Sequence, residues 1–198
     1  MIGNPPLAAL VLAAGAGVRF GGNKLSAHFR GEPLIVHAVR AARAAPVERV
    51  VVVAAAQLDI GVHDNPGPPV TVVRIASAAL AETLKAGIAA IGDCAGAFIF
   101  LGDMPLIAPD IAPRLAFMLA GHFAALPRHA GKPGHPVLLA AKAFPAIAGL
   151  HGDEGAGKLL RSRKDIAFLE YGDDSVLLDV DRPGDIARLE ACSAPDTA

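Results

Sequence analysis

The chain has 198 residues, 18 Lys and Arg against 19 Asp and Glu, and a formal net charge of −1; it is 53% hydrophobic and 19% charged. That composition excludes a disordered chain and, lacking any basic excess, a nucleic-acid-binding surface. The length predicts one domain with a sizeable core.

Cys94 and Cys192 lie far apart with no ligand spacing, which predicts a reduced, cytoplasmic protein. The N-terminal stretch "MIGNPPLAAL" lacks the charged region of a signal peptide, and no apolar run reaches the length that spans a membrane.

In chain order, "AALVLAA" (8–14) is an apolar run that predicts a buried strand. "PLIVHAVRAARAA" (33–45) has helical spacing, "RVVVVAA" (49–55) and "VTVVRI" (70–75) read as strands, and "AALAETLKAGIAAI" (78–91) reads as a helix. "AFIFLG" (97–102) is a fourth strand, followed by a helix over 109–120 with Pro109 near its start. Strand alternating with helix predicts a parallel sheet covered on both faces.

After residue 121 the rhythm changes. Residues 124–140 read as strand, Gly/Pro-rich turn and strand, and 155–162 as a short helix. "IAFLEY" (166–171) and "SVLLDV" (175–180) read as strands, 182–191 as a closing helix, and "RSRK" (161–164) as a solvated helix end.

The loop after the first strand, "GAGVRFGGNKL", concentrates Gly15, Gly17, Gly21 and Gly22 with Arg19 and Lys24. Ligands of open parallel sheets bind at the carboxyl ends of strands. Glycines there let backbone N–H groups face an anion, and the two cations add a planar fork and a point charge. Asn23 and Leu25 flank Lys24, which excludes a Walker A loop. Phe20 stands where the dinucleotide fingerprint requires glycine.

The loop does fit L-A-A-G-x-x-x-R-x-G-x-x-K, and four more stretches follow in order: "LAETLKAG" (80–87), "LGDMPLI" (101–107), the pair "GKPGHPVLL" (131–139) and "GDEGAGKLL" (152–160), and "DVDRPGDIARL" (179–189). The chain resembles the MobA-like NTP transferases of molybdenum-cofactor synthesis, and among them most closely the molybdenum cofactor cytidylyltransferases. Gly17 and Phe20, Arg182, and Gly157 depart from the residues common in that family.

The resemblance implies a Rossmann-like, mostly parallel sheet with helices on both faces, a three-layer α/β/α fold of the nucleotide-diphospho-sugar transferase type. It implies one nucleotidyltransferase domain over 1–192, with a nucleotide-binding half (1–120), an acceptor half (121–192) and a tail (193–198). Its reaction moves CMP from CTP, or GMP from GTP, onto the phosphate of a molybdopterin-type acceptor, with Mg²⁺ and a molybdenum enzyme as the partner served. Cytidylyl or uridylyl transfer to a sugar or polyol phosphate stays open, as does a non-enzymatic carrier of the finished cofactor.

Nucleotidyl transfer must neutralise a triphosphate and stabilise charge on the pentavalent phosphorus. The resemblance gives Lys24, Arg19 and Asp103 catalytic roles, and Asp103 with Asp181 the metal. Ala13, Ala14 and Gly15 pass beneath the base, Ala16 and Gly17 present backbone N–H groups to phosphates, and Thr83 faces base or ribose. Gly134, His135, Asp153 and Gly155 belong to the acceptor loops. Each polar residue also has a plainer role: turn cap for Asp103, helix cap for Asp181, helix start for Thr83, turn residue for His135. Asp179 is assigned to structure.

Overall fold

A computed structural model describes residues 6–15, 17–61, 66–77 and 79–192. Ala16, His63 and the tail 193–198 lie outside the described residues.

Strand β1 (Leu7–Ala13) is followed by a small antiparallel hairpin, β2 (His28–Phe29) and β3 (Glu32–Pro33), then α1 (Leu34–Ala44). Strands β4 (Arg49–Ala55) and β5 (Val70–Ile75), helix α2 (Leu80–Ala90), strand β6 (Gly96–Leu101) and helix α3 (Ile111–Met118) complete the first half. The second half supplies β7 (Ala124–His129), β8 (Lys132–Pro133), β9 (Val137–Ala140), α4 (Phe144–Ile147), α5 (Ala156–Leu160), β10 (Ile166–Glu170) and α6 (Pro183–Cys192).

Eight strands form one sheet in the order β10-β7-β9-β6-β1-β4-β5, with β8 paired to β7. Both halves of the chain therefore share one sheet. Strands β1, β4, β5 and β6 pair in parallel, whereas β9 runs antiparallel to both its neighbours.

The apolar runs are continuous because both faces are covered. Ala9, Val11 and Phe98 face α1 and α3, through Ile35, Val39 and Leu115. Ala8, Leu10 and Ile99 face α2, α4 and α5, through Leu84, Ile147 and Leu160. Gly87 is required on that second face: a Cβ there would lie 2.3 Å from Leu10 Cδ1. A third cluster, with Phe29, Leu34, Val180 and Leu189, fastens α6 to the first hairpin. No helix among the described residues is long and apolar enough to cross a membrane.

One predicted strand is absent. "SVLLDV" forms a 3-10 turn over Asp174–Leu177 and then an unpaired extended segment. The Asp173 carboxylate accepts from the Ser175 N–H at 2.9 Å and starts the turn before a ladder can form. Its apolarity has another cause: Val176 and Val180 are fully buried. Two isolated backbone bonds hold the segment, from His135 N–H to the Val176 carbonyl and from Val180 N–H to the Asp103 carbonyl.

Candidate active site

The loop leaving β1 folds back on itself in two 3-10 turns, Val18–Phe20 and Lys24–Ser26. Gly17 has φ of 59°, and a Cβ on it would lie 3.0 Å from Lys24 Cβ. Glycine is needed there both for its conformation and for the close return of Lys24. Leu25, nearly buried, anchors the return in the core.

Asp103 follows β6, after Gly102, whose N–H still bonds to the Leu12 carbonyl of β1. The bond from Val180 N–H to the Asp103 carbonyl, 3.0 Å, brings the segment before α6 to the same point. Lys24 Nζ lies 2.6 Å from Asp103 Oδ2 and 3.4 Å from Asp181 Oδ1, and Arg19 Nη1 lies 3.0 Å from Asp181 Oδ2. Four residues separated by up to 162 positions thus form one cluster of alternating charge. Burial pulls the Lys24 ammonium down, but the hydrogen bond and charge of Asp103, with Asp181, outweigh it and leave its pKa above the usual value.

The helix-cap role of Asp181 gives way to this arrangement. Asp185, not Asp181, serves the start of α6, accepting from the Asp181 and Arg182 N–H groups at 3.0 and 2.8 Å. The Asp181 carboxylate faces Lys24 and Arg19 instead. Asp179, set aside in the sequence as structural, also belongs here: Asp103, Asp179 and Asp181 each place an oxygen within 4.8 Å of the others. Desolvation, then repulsion from Asp103 and Asp181, raises its carboxyl above the usual range. The signal was present in "DVD": in extended backbone, alternate residues share a side, and Val180 between them is buried. Three convergent carboxylates are hard oxygen donors of the kind that suit Mg²⁺ or Mn²⁺.

Two clefts open on either side of β1's end. The first, about 480 Å³, lies at the carboxyl ends of β1, β4 and β5, lined by Ala13, Ala14, Gly15 and Lys24 together with Gln57 and Ala76. Arg74 braces its outer wall, donating to the Ala55 carbonyl at 2.8 Å and the Leu58 carbonyl at 2.6 Å. Gln57 and Arg74 carried no motif, so the sequence did not mark them. Thr83 requires correction: it is 1% exposed, and its hydroxyl donates to the Ala79 carbonyl one turn back at 3.0 Å. The side chain is a buried helix-start residue rather than a group presented to base or ribose.

The second cleft, about 820 Å³, is lined by all four of the residues expected on the acceptor side, Gly134, His135, Asp153 and Gly155, over a floor that includes Leu12, Ile99 and Leu101. Gly134 has no room for a side chain, since a Cβ would lie 2.4 Å from the Val176 carbonyl oxygen. Burial pulls the His135 imidazole below its ordinary range, against the Ile99 carbonyl and the Asp103 charge, which raise it. The imidazole stands on the wall of the second cleft, within reach of the Asp103 charge. Leu12 lines this cleft and Ala13 the other, as successive residues of a strand must face opposite ways.

The profile of the MobA-like NTP transferase domain matches residues 9–166. Purine catabolism protein PucB of Bacillus subtilis is 30% identical over 193 residues, covering 91% of this chain and 94% of that protein. Among solved structures, Rv0371c of Mycobacterium tuberculosis superposes with a TM-score of 0.79 at 27% identity, over 94% of this chain and 98% of that one. A structure of Rv0371c in complex with manganese gives 0.78 at 26%, over 95% and 99%. The 4-diphosphocytidyl-2C-methyl-D-erythritol synthase of Anaerococcus prevotii, at 12% identity and a TM-score of 0.72 over 95% and 98%, shares the fold.

Proposed function

The chain belongs to the MobA-like NTP transferase family, and we propose that it transfers CMP from CTP to the phosphate of a molybdenum-pterin cofactor, releasing pyrophosphate. The observation that carries this reading is the meeting of Lys24, from the glycine loop, with Asp103 and Asp181 between two clefts. A phosphate-type loop, a cluster of metal-type carboxylates and room for two substrates are what nucleotidyl transfer requires.

In this reading the first cleft takes the nucleotide and the second the acceptor. The base lies over Ala13, Ala14 and Gly15, where Ala14's methyl group limits the space and favours a pyrimidine. Arg19 and the backbone at Gly17 hold the outer phosphates, and Lys24 reaches the α-phosphate. An acceptor phosphate oxygen attacks the α-phosphorus, and the bond to the bridging oxygen of the β-phosphate breaks, its electron pair leaving with pyrophosphate. No general base is required, because the attacking phosphate is already ionised. Lys24 stabilises the charge that grows on the α-phosphoryl oxygens. Asp103, Asp179 and Asp181 would hold Mg²⁺, which when bound supplies charge neutralisation across the phosphates. Gly134, His135, Asp153 and Gly155 position the acceptor, and the product passes to a molybdenum enzyme.

The test is incubation with equal CTP, GTP, UTP and ATP, Mg²⁺, and molybdenum-pterin cofactor, followed by mass analysis. A CMP adduct with stoichiometric pyrophosphate is expected. A GMP adduct replaces the cytidylyl reading with the guanylyl one, and absence of any nucleotide adduct overturns the reaction.

A further inference from the structure

Lys24 serves two places. Its side chain lines the first cleft, while its ammonium stands 2.6 Å from Asp103 Oδ2 and 3.4 Å from Asp181 Oδ1, on two of the three convergent carboxylates. Arg19, the other cation of the glycine loop, lies 3.0 Å from Asp181 Oδ2. Both cations that the loop offers to phosphates are therefore engaged by the carboxylates that suit a divalent ion.

The two uses of these carboxylates compete. Mg²⁺ takes oxygen ligands at about 2.0–2.1 Å, so an ion shared by Asp103 and Asp181 enters the ground that the ammonium holds. Lys24 and Asp103 are only 14% and 20% exposed, and little water screens the repulsion between the two cations. An exchange conserves charge: Lys24 and Arg19 bring two positive charges to the carboxylates, and a divalent ion brings the same two. The exchange asks little of the backbone. Leu25 is buried, and a Cβ on Gly17 would lie 3.0 Å from Lys24 Cβ, so the lysine stem is fixed at its base. Rotation about the bonds of the stem carries the ammonium from the carboxylates towards the cleft that the same side chain lines.

We propose that Lys24 is the resident counter-cation of the metal site. It compensates Asp103 and Asp181 until a nucleotide draws the ammonium to its phosphates, and only then do these carboxylates take a divalent ion tightly. The proposal rests on the reading of the first cleft as the nucleotide site and of the three carboxylates as the metal site. Metal and nucleotide are then coupled through one side chain, and the coupling is reciprocal: each raises the affinity for the other by the same factor.

The test titrates Mn²⁺ into the full-length protein, followed by electron paramagnetic resonance, with and without a non-hydrolysable analogue of CTP. Without the analogue, Lys24→Met should bind Mn²⁺ about tenfold more tightly than the wild type, within the usual range of coupling between sites. Lys24→Gln repeats the test with a polar chain, and Lys24→Arg, which keeps the cation, should stay near the wild type. Arg19→Gln should gain less, because Arg19 is 75% exposed and screened by water. Lys142→Met controls for net charge: Lys142 follows Ala140, which pairs with Gly96 at the end of β6 opposite Asp103, and its loss should change nothing. The analogue should tighten Mn²⁺ binding about tenfold more in the wild type than in Lys24→Met; chelation by free analogue is common to both proteins and cancels in that ratio. Mn²⁺ affinity that is unchanged or weakened in both Lys24→Met and Lys24→Gln, a gain matched by Lys142→Met, or equal tightening by the analogue in wild type and Lys24→Met overturns the proposal. So does tight Mn²⁺ binding that survives Asp103→Asn in the Lys24→Met background, since the ion is then held elsewhere. An analogue that fails to bind, with the Lys24→Met gain intact, refutes the nucleotidyl reading and leaves the competition between Lys24 and the metal standing.

Discussion

Replacing Lys24 with methionine keeps most of the unbranched side chain and deletes its charge. Lys24 and Asp103 are only 14% and 20% exposed, and the ammonium is 2.6 Å from the carboxylate, with Asp181 at 3.4 Å. Exposed pairs contribute about 0–1 kcal/mol, whereas removing one partner of a fully buried pair costs about 3–5 kcal/mol. This partly shielded pair falls between, at about 1–3 kcal/mol, and each kcal/mol moves Tm by about 2–4 °C in a chain of this size, so Tm should fall by about 2–12 °C. Because the folded-state pKa of Lys24 is raised, its stabilisation is complete below the unfolded value of 10.5 and is lost as pH rises through the folded one. The Tm gap between wild type and variant should therefore be flat through neutral pH and close in strong alkali. Turnover should fall by about 10²–10³, as for deletion of a donor that acts on transition-state charge, with a smaller change in the KM for CTP. Pyrophosphate release at saturating Mg²⁺ and calorimetric melts measure the two effects. Wild-type turnover with a raised KM refutes the α-phosphate assignment and moves Lys24 to the outer phosphates, and an unchanged Tm refutes the ion-pair argument.

Asp103→Asn keeps shape and removes charge; transfer should disappear at saturating Mg²⁺ with the circular dichroism unchanged, and wild-type turnover sinks the metal assignment. Asp179→Asn should raise Tm in EDTA at neutral pH while weakening Mn²⁺ binding. The raised folded pKa of Asp179 means that its proton-linked stability is present below the unfolded value of 3.8 and gone at neutral pH, so the Tm gain should vanish in acid; a Tm equal to wild type at pH 7 contradicts this. Ala14→Gly should relax the preference for CTP over GTP, by about 1–3 kcal/mol at most, in competitive turnover, and a wild type that already prefers GTP defeats the argument. Gly134→Ala would press a Cβ to 2.4 Å from the Val176 carbonyl oxygen, a backbone atom that no rotamer change can move aside. A cost of about 1–3 kcal/mol and a raised acceptor KM with unaltered CTP KM are expected; an undisturbed melt shows that the turn yields freely.

The sequence by itself determined the layered fold and the place of the glycine-rich loop after β1. Strand β4 begins and ends where its β-branched run does, at Arg49–Ala55, because a central parallel strand is apolar on both faces and a continuous run needs no partner to be recognised. The glycines after β1 were equally legible, since Gly17 needs a positive φ that other residues avoid. Where burial is local, the same logic misled: "SVLLDV" is apolar because Val176 and Val180 plug the core, and the cap from Asp173 turns the chain before it can pair. The tertiary structure alone decided the rest. It joined Lys24 to Asp103 and Asp181, drew in Asp179, turned Thr83 inward, and set Arg161 on the wall of a cleft. Apolar period and turn preference act between near neighbours in the chain, so they leave a readable pattern. Charge pairing and cleft shape act between residues up to 162 positions apart, and only the closed sheet brings those within reach of one another.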